Sequence, residues 1–546
     1  MTDRHHLNRR HVLQASIAAA LAAGLWRPDS AWAEAAEPIA TTKAGKVRGK
    51  VENGINVFKG VRYGADTATT RFQAPRAPQP WNGVVDAFDY GNQTPQPGGG
   101  DGGGLFRSWA NRRANSEDCL FLNVWTPALR DSKKRPVMVW FHGGGFSSGS
   151  GASHAYDGVR LAKRGDVVVV TVNHRLNVFG HLYLGDLGGA KFADSGNAGV
   201  LDLVHSLKWV RDNIAEFGGD PNNVMIFGES GGGAKVTTLM TMPQAKGLFH
   251  RAAVQSGAWL LFNEPADVTK TANAMLTELG LTAATIDQLL TLPFEKIQEA
   301  AGKVARMGQG SMWGPVIDKK NLHRHPVAPG SSAPEESKNV PLLIGFNRTE
   351  STLLVGPRDA AFFTLTWETL PGKLAPLLPS IDTPKVIADY RKLHPNHSAS
   401  DVFFAATTDS RFVRAHVAQV ESKAAQSATG GAPAYFYMLD WNTPVDGGRW
   451  RSPHALEIGF VFDNVAKSES MSGIGPEQQR IADLMSEAWL AFARTGNPNN
   501  KLLPNWPAYD VTKRASLVFD LQPKVVNDVH GVERRWFDSM KMSANG

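Results

Sequence analysis

Cysteine is almost missing from this chain: Cys119 stands alone among 546 residues. No intrachain disulfide can form, so a small disulfide-held scaffold is excluded, and a buried, inert thiol is expected. Long apolar runs are missing as well. The apolar stretch near the N-terminus, about 15–25, falls short of the ~20 residues that a membrane span needs. Lysine and arginine are scattered, with only short runs such as Lys133-Lys134-Arg135. No basic stripe interleaved with aromatics is present, which argues against a nucleic-acid partner. No segment repeats at a fixed period, which argues against a solenoid.

What the chain does have is 42% hydrophobic and 20% charged residues, the balance of an ordinary globular protein with a sizeable core. Its first 33 residues differ from the rest. They run from a basic start through the apolar stretch to Ala31-Trp32-Ala33, the order of parts in a signal peptide cleaved after Ala33. Arg9-Arg10 followed by Val12-Leu13-Gln14 resembles a twin-arginine signal, which carries folded proteins across a bacterial inner membrane. An ordinary export signal holding two arginines is the alternative. On either reading the mature chain, 34–546, is expected to be exported, periplasmic or secreted, with no stable membrane anchor. The leader holds four arginines against two aspartates, so the mature chain keeps +5 of the formal +7 charge.

Six segments read as buried strands: Pro136–Phe141, Asp166–Val172, Asn223–Phe227, Arg251–Gln255, Pro341–Phe346 and Ala434–Leu439. Continuous apolar runs of this kind suit strands covered on both faces, as in a parallel sheet between helices. Helical patterns lie between them, clearest in Gly199–Phe217 and Glu477–Thr495. Strand and helix therefore alternate, which predicts an α/β protein with a predominantly parallel sheet. The glycine-rich piece at 97–104 and the Ser/Pro-rich piece at 326–337 are loops, but neither divides regions of different composition. A single domain with long insertions is expected.

Two places match Gly-x-Ser-x-Gly, around Ser147 and around Ser230. A nucleophile elbow needs a strand before the serine and a helix after it, because a sharp turn must lift the hydroxyl above the sheet. Ser230 has both: NVMIF precedes it, and GAKVTTLMTM can continue as a helix. Ser147 is followed by SGSGASHAYDG, which is turn chemistry. Its leading part, WFHGGG from Trp140, instead matches a strand running into the glycine segment that supplies backbone N–H groups to an oxyanion hole. A phosphate-binding loop is disfavoured, since no Gly-Lys-Ser/Thr follows.

A serine hydroxyl needs a base and an orienting acid, and in this arrangement they follow in the order Ser, acid, His. Glu350 falls just past the strand PLLIGF, where the acid belongs. The histidines beyond it are His394, His397, His416, His454 and His530. His454 lies in a loop beyond the strand AYFYML and is favoured as the base, while His416 sits in a helical pattern that suggests a structural role. Pattern alone leaves the choice among the five open.

These pieces resemble the type-B carboxylesterase and cholinesterase family of α/β hydrolases. The resemblance rests on SEDCLFLN from Ser116, WFHGGGF, NHRLNVFG from Asn173, FGGDPNNVMIFGESGGG from Phe217 and HALEIGFVF from His454, in family order. It implies an α/β-hydrolase fold with an active-site gorge, Ser230 as nucleophile, Glu350 as acid and His454 as base. Oxyanion donors would be the N–H groups of Gly144, Gly145 and Gly231, with a small-molecule ester as substrate and no metal or organic cofactor. Two departures stand out. The residue after the nucleophile is usually alanine in the family and is Gly231 here, a change expected to loosen the turn. The cysteine of the SEDC segment has no upstream partner, so the loop holding Gly98–Gly104 is expected to be mobile. Trp109 lies at the offset where cholinesterases hold choline, but a tryptophan lining an apolar gorge is the favoured reading. A non-catalytic recognition protein on the same fold, or an amide- or lipid-directed hydrolase with the same triad, remains the alternative.

Overall fold

The strands predicted as doubly buried divide their side chains between two apolar clusters. In Arg135–Phe141, Val137, Val139 and Phe141 enter one cluster, while Met138 and Trp140 enter the other. A strand whose alternate residues are both buried must be covered on both faces. The computed structural model of the chain, which describes residues 37–97, 103–308, 313–327 and 332–541, shows what covers it. The helices α1 (Ala198–Asn213), α2 (Gly231–Thr241) and α3 (Arg414–Ala428) supply the first cluster. The long α4 (Pro476–Thr495) supplies the second. Proline at its first position and left-handed Gly496 just past its end fix the limits of α4.

The central sheet has eleven strands. In chain order they are β1 (Lys50–Glu52), β2 (Ile55–Arg62), β3 (Phe121–Thr126), β4 (Arg135–Phe141), β5 (Val168–Val172), β6 (Gly219–Glu229), β7 (Arg251–Gln255), β8 (Leu342–Asn347), β9 (Ala434–Leu439), β10 (Ala515–Phe519) and β11 (Lys524–Asn527). Across the sheet the order is β1-β2-β3-β5-β4-β6-β7-β8-β9-β10-β11. From β5 to β10 every neighbouring pair is parallel, and antiparallel strands flank this block on both sides. A separate three-stranded sheet joins Ile39–Thr41, Lys46–Arg48 and Val84–Asp86.

One feature of this order positions the site. After β4 the chain pairs β5 on one side of it, then returns to pair β6 on the other. At such a reversal the connections leaving the strand ends part to opposite faces and leave a crevice between them. The segments at the C-terminal ends of β4 and β6 are His142-Gly143-Gly144-Gly145 and Ser230. The expected α/β-hydrolase architecture is therefore present, and it brings the two glycine-rich motifs face to face. The leader and the residues 98–102 of the loop expected to be mobile lie outside the described residues. Among the described residues no helix is long and apolar enough to cross a membrane.

Candidate active site

Ser230 occupies the turn between β6 and α2 with φ 55° and ψ −125°. A non-glycine residue held there costs about 1–3 kcal/mol, so the surrounding bonds must impose it. Ser230 N–H donates to Gln255 O on β7 (2.8 Å), and Ser230 O accepts from Ala234 N–H (3.0 Å). Gly232 permits the tight fit, since a Cβ there would sit 2.0 Å from Phe141 O at the end of β4.

Loops after β8 and β9 are stitched together. Thr349 N–H donates to Ser452 O (3.0 Å), and Ser452 N–H donates to Thr349 Oγ1 (2.8 Å). The residues beside these bonds are Glu350 and His454, and the structure brings them into contact, with Nδ1 2.5 Å from Glu350 Oε2. The other oxygen of Glu350 accepts from Ser256 Oγ (2.6 Å) and Asn347 N–H (2.7 Å). Both carboxylate oxygens of a side chain with no exposure are thereby satisfied.

The second nitrogen of His454 faces an unexpected partner, Glu229 Oε1, at 3.1 Å. Among the described residues Ser230 Oγ has no hydrogen-bond partner. Burial pushes the Glu229 carboxyl well above the usual range, against the pull of His454. Burial would lower His454, but the charges of Glu229 and Glu350 outweigh it and raise the imidazole to about 9. At 3.1 Å the two groups titrate as a coupled pair. A third carboxyl, Glu457, accepts from Asn347 Nδ2 (2.6 Å) and is raised to about 7 by burial and then by Glu350.

Opposite the elbow, the glycine segment turns its carbonyls away from its N–H groups. His142 is neutral, its imidazole pushed down to about 3 by burial and then by the Lys235 charge, and its Nδ1 binds Gly143 O (2.9 Å). Gly144 O accepts from Ser147 N–H (3.2 Å) and Ser148 N–H (3.1 Å). In a planar trans peptide the N–H points opposite to the C=O, so these bonds aim the N–H groups of Gly144 and Gly145 the other way. Among the described residues neither N–H donates to the protein. Gly231 N–H opens α2, where the first N–H groups of a helix have no intrahelical acceptor. A Cβ on Gly143 would lie 3.3 Å from Ser230 Cβ, which measures how closely this segment crosses the serine.

The remaining candidates are engaged elsewhere. His416 is buried on α3, with Nδ1 bonded to Phe412 O (2.6 Å) and Nε2 accepting from Ala258 N–H (3.2 Å), a structural pairing as its helical pattern suggests. His394 pairs with Glu533 and His530 with Asp409, while His397 stacks on His394. Ser147 is exposed in a turn. Trp109 is buried at the end of a short 3-10 helix, its ring against Phe106. Cys119 is buried, accepts a contact from Thr94 Oγ1 (3.3 Å), and burial pushes its thiol up to about 12. Sequence reasoning missed Glu229, Glu457, Ser256, Asn347 and Lys235. Glu229 and Glu457 carried a readable signal, an acid next to the nucleophile and another three residues past the histidine; the others gave none.

Comparison with known proteins follows the same outline. The carboxylesterase family model matches residues 36–535. A para-nitrobenzyl esterase from Bacillus subtilis (strain 168) is 37% identical over 507 residues, covering 91% of this chain and 98% of its own. A phenmedipham hydrolase from Pseudarthrobacter oxydans is 31% identical, covering 88% and 94%. Among solved structures, a carboxylesterase from Geobacillus stearothermophilus superposes with a TM-score of 0.79 at 38% identity, covering 92% of this chain and all of that one. Agreement over this much of the chain, in sequence as well as in fold, makes the protein a carboxylic ester hydrolase and a member of the carboxylesterase family.

Proposed function

We propose that this enzyme hydrolyses small-molecule carboxylic esters through an acyl-enzyme on Ser230. His454 takes the hydroxyl proton, Glu350 orients and stabilises the imidazolium, and the N–H groups of Gly144, Gly145 and Gly231 hold the developing oxyanion. The observation that carries this reading is the 2.5 Å contact between His454 Nδ1 and Glu350 Oε2, formed at the mouth of a strained elbow that presents a serine. In the free enzyme Nε2 rests against Glu229, so substrate binding must transfer it to Ser230 Oγ before attack. The tetrahedral intermediate collapses as His454 returns the proton to the leaving alcohol. Water then repeats the sequence and releases the acid, and every step uses groups of the chain and water alone.

The small-molecule substrate class is supported by the names of two relatives, a para-nitrobenzyl esterase and a phenmedipham hydrolase. A structural neighbour from Clostridium hathewayi, with a TM-score of 0.78 at 33% identity, hydrolyses aliphatic aromatic polyesters. Trp109 enters this reading as part of an apolar wall and not as a seat for a cation. The leader, 1–33, is assigned to export, which places the working enzyme in the periplasm or outside the cell. The catalytic assignment is tested by covalent capture with a fluorophosphonate, which must fall on Ser230.

A further inference from the structure

Every residue of α2 is buried, and its one charged side chain, Lys235, has no exposure at all. A buried ammonium needs partners, and its partners here are two carbonyl oxygens. Lys235 Nζ donates to His142 O (2.8 Å) and Gly145 O (2.9 Å), with the ring of Phe146 5.5 Å away. The two carbonyls lie at the two ends of the glycine segment. His142 and the Ser147 and Ser148 N–H groups hold the two carbonyls between them. All four carbonyls from His142 to Gly145 are therefore fixed, the outer pair by one side chain. The charged and titratable groups around Lys235 are Glu229 on β6 and the imidazoles of His142, His174 and His181. Burial pushes the ammonium down to about 7, and Glu229 opposes that shift.

Gly231 completes the arrangement. A Cβ there would lie 2.2 Å from Gly145 O and 2.5 Å from Gly145 Cα, so the alanine usual in the family does not fit beneath the segment as it stands. The atom that such a Cβ would strike is the carbonyl oxygen that Lys235 holds. Gly231 therefore does more than loosen a turn: it leaves the space into which the Lys235 bond draws Gly145.

We propose that Lys235 is a positioning residue for the oxyanion hole. Its buried ammonium clamps both ends of the glycine segment, setting the Gly144 and Gly145 N–H groups over Ser230, and the clamp requires glycine at 231. This inference rests on the reading of Gly144 and Gly145 as oxyanion donors.

The test compares wild type, Lys235→Met, Gly231→Ala and the double variant. Each is assayed with a p-nitrophenyl ester and two inhibitors of one shape, a trifluoromethyl ketone that forms a tetrahedral serine adduct and a methyl ketone that binds without one. Lys235→Met is expected to lower kcat on the order of 10²-fold with KM within about twofold, the size of losing one oxyanion donor. Trifluoromethyl ketone affinity should fall by the same factor, with methyl ketone affinity unchanged. Gly231→Ala should show the same pattern, and the double variant should cost no more than the worse single one, because both changes displace the same peptide. Unchanged trifluoromethyl ketone affinity in folded Lys235→Met, an equal loss for both ketones, or additive losses would overturn the proposal. If Lys235→Met does not fold, Gly231→Ala decides, and full trifluoromethyl ketone affinity in it counts against the clamp. Failure of the underlying reading looks different: wild type itself would not prefer the trifluoromethyl ketone.

Discussion

Glu229 determines the state in which His454 meets a substrate. Its ionised form, 3.1 Å from Nε2, favours the imidazolium while burial opposes that form, and a protonated histidine cannot take the proton of Ser230. The raised value of about 9 therefore predicts that kcat/KM climbs with pH into the alkaline range. Glu229→Gln removes one of the three carboxylate charges, with Glu350 and Glu457, that raise His454, so it should move the inflection to lower pH, as read from a kcat/KM profile on a soluble ester. An inflection left in place would mean that Glu229 does not set it. The same shift bears on stability. With His454 raised from 6.5, its contribution is fully present below about pH 6.5 and is lost as pH rises through about 9. At this scale the sequence was legible where a motif announces a residue. Ser230 was singled out by its elbow, whereas chain order left five histidines open and only the family resemblance singled out His454 together with Glu350. Ser256 stayed hidden because its bond to Glu350 joins residues 94 apart through the packing of β7 beside β8. Lys235 stayed hidden because its partners lie on a different loop.

Among the elements, all six strands read from apolar runs are present, and their limits shift for local reasons. β5 begins at Val168 because Asp166, expected as its first residue, is the left-handed cap of the preceding helix, Val159–Gly165. β6 begins at Gly219, four residues before the expected start, since its first residues are polar and give no apolar signal. The helix expected over Gly199–Phe217 keeps α geometry to Asn213 and tightens to a 3-10 turn over Ile214–Phe217. Besides the three strands of the small sheet, those not anticipated are β1–β3, β10 and β11, which lie outside the parallel centre or at its margin, and each of these five has an antiparallel partner. Half-covered and short strands carry mixed patterns that no continuous apolar run reveals. The contact between α2 and β4 supplies the prediction at this scale. Gly232→Ala must part the elbow from Phe141 or strain it, and overpacking of this kind costs about 1–3 kcal/mol. Thermal unfolding should show that loss together with a fall in kcat; unchanged stability would mean that the contact yields without cost.

For the whole molecule, fold class was legible because alternating strand and helix patterns leave few ways to bury both faces of a parallel sheet. The crevice was not, since it depends on strand order: β4 lies between β5 and β6, which no local pattern encodes. Export is argued from the leader alone. Replacing Arg9 and Arg10 together by lysine should leave the enzyme inside the cell, whereas the unaltered chain should yield a mature N-terminus at Glu34 in the periplasm or medium. Unimpaired export of the double variant would rule out the twin-arginine route and leave the ordinary signal peptide. The central claim is that Ser230, activated by His454, carries the acyl group. Fluorophosphonate labelling with peptide mass mapping, on wild type and on His454→Ala, tests it most directly. The account predicts a single adduct on Ser230 in wild type and its near-complete loss in the variant. An adduct on Ser147, none on either serine in folded protein, or undiminished labelling of His454→Ala would contradict it.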